Sequence, residues 1–288
     1  MGFTELIGRG SHELDLRDRA AVTDFFHDVG PEVVVDAAAR VGGILANDTS
    51  PADFISQNLQ IQVNLMDAAA AVGVPRLLFL GSSCIYPRDA PQPIREDSLM
   101  SGPLEPTNDA YAVAKIAGIA QVRAVRRQHG LAWISAMPTN LYGPGDNFGL
   151  ESSHVLPALI RRFSEAAAAG APEVALWGTG RPRREFLHVD DLAAGVLTLL
   201  ERYDGPDPVN VGSGTDLPVA ELAALVADVV GYTGRITTDP TRPDGTPSKL
   251  LDSTRIRALG WAPTVSLRDG IESTWRAYRA GAGASVSP

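Results

Sequence analysis

Arg76-Leu77-Leu78-Phe79-Leu80-Gly81-Ser82-Ser83-Cys84-Ile85-Tyr86-Pro87 is the stretch that decides the fold. From Leu77 to Leu80 it is a short, unbroken apolar run, the pattern of a strand covered on both faces. Val33-Val34-Val35-Asp36-Ala37 repeats that pattern upstream. Working outward, the sequence predicts strands over 4–8, 32–37, 76–81, 133–137, 174–177 and 208–211. It predicts helices over 19–29, 51–73, 107–130, 153–169, 190–202, 219–230 and 267–279. Such alternation gives a doubly wound α/β fold, a parallel sheet with helices on both faces. Ligands of these sheets bind outside the carboxyl ends of the strands. Ser82, Ser83 and Cys84 therefore leave a buried strand on its chemical edge, although a turn whose serines cap backbone groups would read the same way.

The rest of the composition narrows the function. With 288 residues, 44% hydrophobic and 20% charged, the chain can bury a sizeable core. A net charge of −9 argues against a nucleic acid or an anionic membrane as partner. One cysteine, Cys84, forbids an internal disulfide and points to a reducing compartment. Met1-Gly2-Phe3-Thr4-Glu5 has no signal-peptide character, and no run approaches the roughly 18 apolar residues of a membrane span. The expectation is a cytoplasmic protein. From about Tyr142 the texture turns loop-rich, so two regions are expected. Residues 1–150 would form one domain, and 151–288 mainly a smaller lobe made partly of loops, with some segments returning to the first. The tail 280–288 is expected to fray.

Tyr111-Ala112-Val113-Ala114-Lys115 lies within a helical pattern. The i, i+4 spacing puts phenol and ammonium on one face. A nearby cation would lower the phenol pKa and suit it to proton transfer near neutrality. Only two lysines occur among 25 basic residues, Lys115 and Lys249, which makes a coincidental pairing less attractive. His188-Val189-Asp190-Asp191 looks like a metal motif but precedes a helix, where Asp190 suits an N-cap or first-turn position; no metal is expected.

A strand-end serine followed by a helical Tyr-x-x-x-Lys resembles the extended short-chain dehydrogenase/reductase family, with a Rossmann-type sheet. The resemblance narrows with Val41-Gly42-Gly43-Ile44, Gly81 to Pro87, Leu104-Glu105-Pro106-Thr107-Asn108 and Met137-Pro138-Thr139-Asn140-Leu141-Tyr142-Gly143-Pro144. Ser153-His154-Val155, Arg184-Glu185-Phe186-Leu187-His188-Val189-Asp190-Asp191 and Pro243-Asp244-Gly245-Thr246 extend it. Together these motifs are similar to those of the GDP-L-fucose synthase family. That resemblance implies NADP(H) as cofactor and GDP-4-keto-6-deoxy-D-mannose as substrate, epimerised at C3 and C5 and reduced at C4. It implies catalytic roles for Ser82, Cys84, Tyr111, Lys115 and His154, with Cys84 and His154 as an acid–base pair on opposite faces of the sugar. It places the cofactor against Ser11, His12, Glu13, Leu14, Asp15 and Leu16, against Leu80, Gly81, Ser82 and Ser83, and against Lys115, Pro138, Thr139, Asn140, Leu141 and His154. It places the GDP-sugar against Arg162, Trp177, Arg184, Asp244 and Lys249. It also implies a homodimer, for which Ala112, Ala114, Ala117 and Ala120 would allow close helix approach.

The front of the chain departs from the family. There a strand, a Gly-x-x-Gly-x-x-Gly turn and a helix hold the cofactor pyrophosphate. No such turn precedes the helix expected at 19–29, and Gly8-Arg9-Gly10-Ser11 follows what resembles the family's second strand. About 25 family residues are absent by this comparison. The sheet would then carry two open edges facing each other, and the chain would bind NADPH poorly or not at all. Two other functions remain open. A nucleotide-sugar dehydratase would want Asp-Glu where Ser83-Cys84 stands, and a simple 4-epimerase has no need of the Cys84/His154 pair. The third is a fragment that binds a GDP-sugar or a partner chain without turnover.

Overall fold

In the computed structural model, residues 3–149, 153–242, 244 and 246–284 are described. Asp18 opens α1 (Arg19–Val29) by accepting from the Ala20 and Ala21 amides, and Gly30 closes it at φ 56, where a side chain would be strained. The apolar run that follows is β1 (Val33–Asp36). After it come α2 (Ile44–Thr49) and the long α3 (Pro51–Ala71), which has its proline at the first turn. β2 (Arg76–Leu80) ends in a 3-10 turn over Ser83–Ile85. A second 3-10 turn, Glu96–Ser98, precedes α4 (Asp109–His129), β3 (Ile134–Pro138) and β4 (Asn140–Tyr142). The second half runs α5 (Val155–Ala169), β5 (Glu173–Trp177), β6 (Arg183–His188), α6 (Val189–Arg202), β7 (Val209–Val211) and β8 (Asp216–Pro218). It ends with α7 (Val219–Val230), β9 (Arg235–Asp239), α8 (Thr254–Ala258) and α9 (Leu267–Ala284).

The main sheet has the order β1-β2-β3-β7 and is parallel throughout. Register pairs Val34 with Leu77, Leu78 with Ile134, and Met137 with Asn210. Alternation along β2 divides the core. Leu77 and Phe79 pack among Val22, Phe26, Leu65, Met66, Ile119 and Val122. Leu78 faces the other way, into Ile134, Leu192, Leu199 and Trp261. Both faces are covered, which is why β2 reads as unbroken apolar sequence. A third core joins α5, α7 and β5 through Phe163, Leu222, Val226 and Val174. Beside it lie a sheet of order β4-β6-β8 and the pair β5-β9. Strand β7 and helix α6 return from the second half of the chain to complete the main sheet.

Three expectations are corrected. Residues 4–8 form no strand: they are exposed, Leu6 by 85%, and no described strand pairs with them. A β pattern becomes a strand only where a ladder partner exists. For the same reason the sheet does not present two open edges to each other. Among the described residues it simply begins at β1, whose Val35 is 44% exposed. The tail is helical as far as Ala284, carried by the amphipathic α9; residues 285–288 lie outside the described set.

Candidate active site

Helix α4 lies tightly on β2 because position 118 is glycine; a Cβ there would run into the Phe79 ring. This close seating brings the face bearing Tyr111 and Lys115 to the carboxyl end of β2, where the Ser83–Ile85 turn begins. Ser82 caps that turn, its Oγ accepting from the Cys84 amide at 3.2 Å. Ser82 also neighbours the Tyr111 phenol. Burial pushes that phenol up from its ordinary range, the neighbouring Cys84 acts in the same direction, and Ser82 partly opposes them. The expected lowering of Tyr111 by Lys115 is not what the structure contains. The ammonium is 6.0 Å from the Tyr111 ring centroid, lies 4.7 Å from the Phe79 centroid, and donates to the Leu80 carbonyl at 2.8 Å. Tyr111 is therefore a protonated donor at neutral pH. Burial brings Lys115 down to about 8, with Asp36 opposing the shift.

Cys84 is a half-buried free thiol. Its sulfur accepts from Asn108 Nδ2 at 3.3 Å and lies 3.7 Å from the Lys249 ammonium. Asn108 is the N-cap residue of α4, yet its side chain makes no capping bond and turns to the sulfur instead. Asp244, Thr246 and Lys249 reach three different neighbours, Thr179, Arg184 and Cys84. Asp244 accepts from the Thr179 amide at 2.6 Å and the Thr179 hydroxyl at 2.8 Å. Arg184 donates to the Thr246 carbonyl at 2.6 Å, and Thr246 donates to Glu105 at 3.1 Å. Burial lowers the Arg184 guanidinium, while Cys84, Glu105 and Asp244 oppose that. Trp177 is 58% exposed, with Arg162 and Arg242 at 6.0 Å and 5.2 Å from its ring. Arg162 donates to the Ala175 carbonyl. Glu185 is fully buried and ties this region down, accepting from the Gly214 amide at 2.7 Å and the Leu251 amide at 2.9 Å.

The remaining expected residues come from several elements, Gly81 and Ser83 from the same strand end as Ser82 and Pro138 to Leu141 from the end of the adjacent β3 and the start of β4. His154 is the exposed N-cap of α5; among the described residues no hydrogen bond or ion pair joins it to Cys84 or Tyr111. Pro138 pairs with Val211 across the sheet. Thr139 and Asn140 both donate to the Glu185 carbonyl, and Leu141 pairs with Leu187. Ser83 is buried, and the Gly81 amide continues the ladder to Ala136. Residues 11–16 form a turn in which Leu14 and Leu16 pack on the core, while Asp15 binds Arg17. Ala112 and Ala114 are buried within the chain, so they cannot serve a helix-to-helix contact with a second copy. His188, not Asp190, caps α6, its Nδ1 accepting from the Asp190 amide. Asp191 is likewise occupied, by the Thr264 and Val265 amides.

The residues at the end of β2 fit the nicotinamide end of a dinucleotide. Lys115 is buried, and its described hydrogen bond is to Leu80 alone, which leaves ammonium protons for a sugar diol. Sequence reasoning missed Asn108 as a partner of Cys84, although a helix-start signal was present in Pro106-Thr107-Asn108. It also missed Arg242, Glu185 and Asp36, whose positions only tertiary packing reveals.

Comparison with known proteins follows the same lines. The NAD dependent epimerase/dehydratase family matches residues 4–212. GDP-L-fucose synthase 1 of Arabidopsis thaliana is 58% identical over 277 residues, covering 96% of this chain and 86% of that protein. A GDP-6-OMe-4-keto-L-xylo-heptose reductase from C. jejuni has a TM-score of 0.91 at 33% identity, covering 97% of this chain and 91% of its own. A GDP-L-fucose synthetase from Naegleria fowleri bound to NADP has a TM-score of 0.87 at 26% identity, covering 96% and 86%. The chain belongs to the NAD dependent epimerase/dehydratase family and, within it, to the GDP-L-fucose synthase family.

Proposed function

We propose that the chain converts GDP-4-keto-6-deoxy-D-mannose to GDP-L-fucose, epimerising C3 and C5 and then reducing C4 with NADPH. The observation that carries this is the cluster of Ser82, Cys84 and Tyr111 at one strand end, with Lys249 at the sulfur. A C4 reductase alone has no use for a thiol beside its tyrosine.

The chemistry follows from the groups. Protons on C3 and C5 are acidic because both carbons flank the C4 ketone. Removing one leaves an enolate, which donors at the ketone oxygen stabilise. Ser82 and Tyr111 are those donors. Cys84 takes the proton on one face, and His154 returns one on the other, so the carbon inverts. His154 stands exposed at the start of α5. Lys115 and the backbone at the end of β2 hold the nicotinamide ribose. The chemistry a bound NADPH supplies is a hydride for C4. Tyr111, kept protonated by its burial, gives its proton to the C4 oxygen. Arg162 and Arg184 suit the diphosphate oxygens, and exposed Trp177 offers a flat face. The free thiol supports a reducing cytoplasmic setting, and no described helix is long and apolar enough to cross a membrane. A homodimer belongs to this reading, as does a division of labour in which residues 1–150 hold the cofactor and most of 151–288 hold the sugar nucleotide.

The test is incubation with GDP-4-keto-6-deoxy-D-mannose and NADPH in deuterated water. The expected product is GDP-L-fucose carrying deuterium at C3 and C5, formed with one NADPH consumed per molecule. Reduction without inversion at those carbons, or no consumption of NADPH, overturns the proposal.

A further inference from the structure

Strand β1 ends its apolar run on a carboxylate that nothing in the mechanism uses. Asp36 is 1% exposed. Its Oδ1 accepts from the Ala38 amide at 3.2 Å, but Oδ2 is buried with no hydrogen-bond partner. Burying a carboxylate in this way is costly unless a charge compensates. The compensating charge lies across the sheet. Asp36 is in register with Phe79, and Lys115 holds its ammonium over the Phe79 ring while bonding the next carbonyl, that of Leu80. Lys115 is also buried, and its hydrogen-bond acceptor is neutral.

We propose that Asp36 is the buried counter-ion of Lys115, a positioning residue that keeps this ammonium charged at the strand end. What the charged Lys115 is for rests on the function proposed above; that Asp36 keeps it charged does not. The other groups around Lys115 cannot do this. Tyr111, one turn back on the same helix, is a neutral phenol whose own charge partner is Cys84 from the 3-10 turn. Helix α3 sends Gln62, uncharged, to the Ala114 carbonyl, and its Asp67 is taken by Arg19 and Gln121. Strand β2 carries one charged side chain, Arg76, which is spent on carbonyls at the opposite end of the sheet, and β3 carries none. Burial raises Asp36 to about 6 and lowers Lys115 to about 8, and each group resists the shift of the other. Between those values both are charged, which is the window in which the enzyme would work.

A merely structural Asp36 would need only an acceptor for the Ala38 amide, which asparagine supplies. Asp36→Asn therefore separates charge from shape. Because the chain has two lysines, labelling with 13Cε-lysine gives two resonances, and Lys249→Arg assigns them. In the ligand-free wild type the Lys115 signal should titrate near pH 8, with a smaller inflection near 6 as Asp36 ionises. In Asp36→Asn the inflection should vanish and the midpoint should fall by about one unit or more, since a nearby opposite charge moves a pKa by about 1–3 units. The alkaline limb of C4 reduction should move down by the same amount, with KM for the GDP-sugar unchanged. An unmoved Lys115 midpoint in Asp36→Asn overturns the proposal. So does a wild-type titration with no inflection near 6, which decides the matter even if the variant does not fold. If the protein reduces no GDP-sugar at all, the resonances still report on the pair.

Discussion

The Lys249 ammonium lies 3.7 Å from the Cys84 sulfur, although 165 positions separate the two residues in the chain. A cation so placed attracts the negative charge that the sulfur must carry before it can accept a proton from carbon. Lys249→Met should therefore slow solvent exchange at C3 and C5 by about tenfold or more, one order of magnitude per 1.4 kcal/mol lost. Proton exchange followed by NMR checks this. An exchange rate within twofold of wild type would mean that the contact does not assist the thiol.

Cys84→Ser keeps the size of the group and removes the thiol. General acid–base catalysis contributes about 10²–10⁴-fold, so exchange at C3 and C5 should fall by at least about 100-fold. Reduction at C4 should persist, giving a product with uninverted carbons. Mass spectrometry and NMR of the product report both steps separately.

Tyr111→Phe removes the proton for C4 while leaving the ring in its half-buried seat. Reduction should drop by about 10²–10⁴-fold. Near-normal loss of nicotinamide absorbance in this variant would defeat the donor role.

Glu185 joins two stretches that flank the site, through the Gly214 and Leu251 amides. Glu185→Ala leaves both amides without their acceptor, and about 3 kcal/mol of stability should be lost, roughly 6–12 °C in Tm. Burial holds this carboxyl above its ordinary range. A group raised in the folded state adds stability that is fully present below the unfolded pKa and declines as pH rises through the folded one. The wild type minus Glu185→Gln difference in stability should accordingly shrink from acid toward neutral pH, as denaturant titrations at several pH values would show.

Trp177 stands between Arg162 and Arg242 with most of its ring open to solvent. Trp177→Ala should raise KM for the GDP-sugar by about tenfold, equivalent to about 1.4 kcal/mol of binding, with kcat little changed. Steady-state kinetics distinguish this from a fall in kcat, which would place the ring nearer the reacting sugar.

Much of this was legible in the chain. The buried strand at 76–80, the turn after it and the helix carrying Tyr111 and Lys115 follow from local pattern, because both faces of β2 are covered and a four-residue step is one helical turn. What local pattern could not supply is who meets whom. The spacing put Tyr111 and Lys115 on one face, but the ammonium goes to Leu80 and is balanced by Asp36 from another strand. Strand β6 opens on Arg183-Arg184-Glu185, a charged start that hides a strand whose later residues are buried. Strand β9, half-exposed and laid against β5 in a two-stranded sheet, shows a similarly weak signal. Residues 4–8 carry the opposite lesson, a credible strand pattern without a partner strand among the described residues.

Asn108, Tyr111 and Lys115 all ride on α4, and that helix is set at its height by the bare Gly118 against Phe79. Three reacting or orienting groups thus share one helix and its cap. Any side chain at 118 would lift them together, so a screen for inactive variants should recover this glycine, which has no chemistry of its own, alongside the acids and bases.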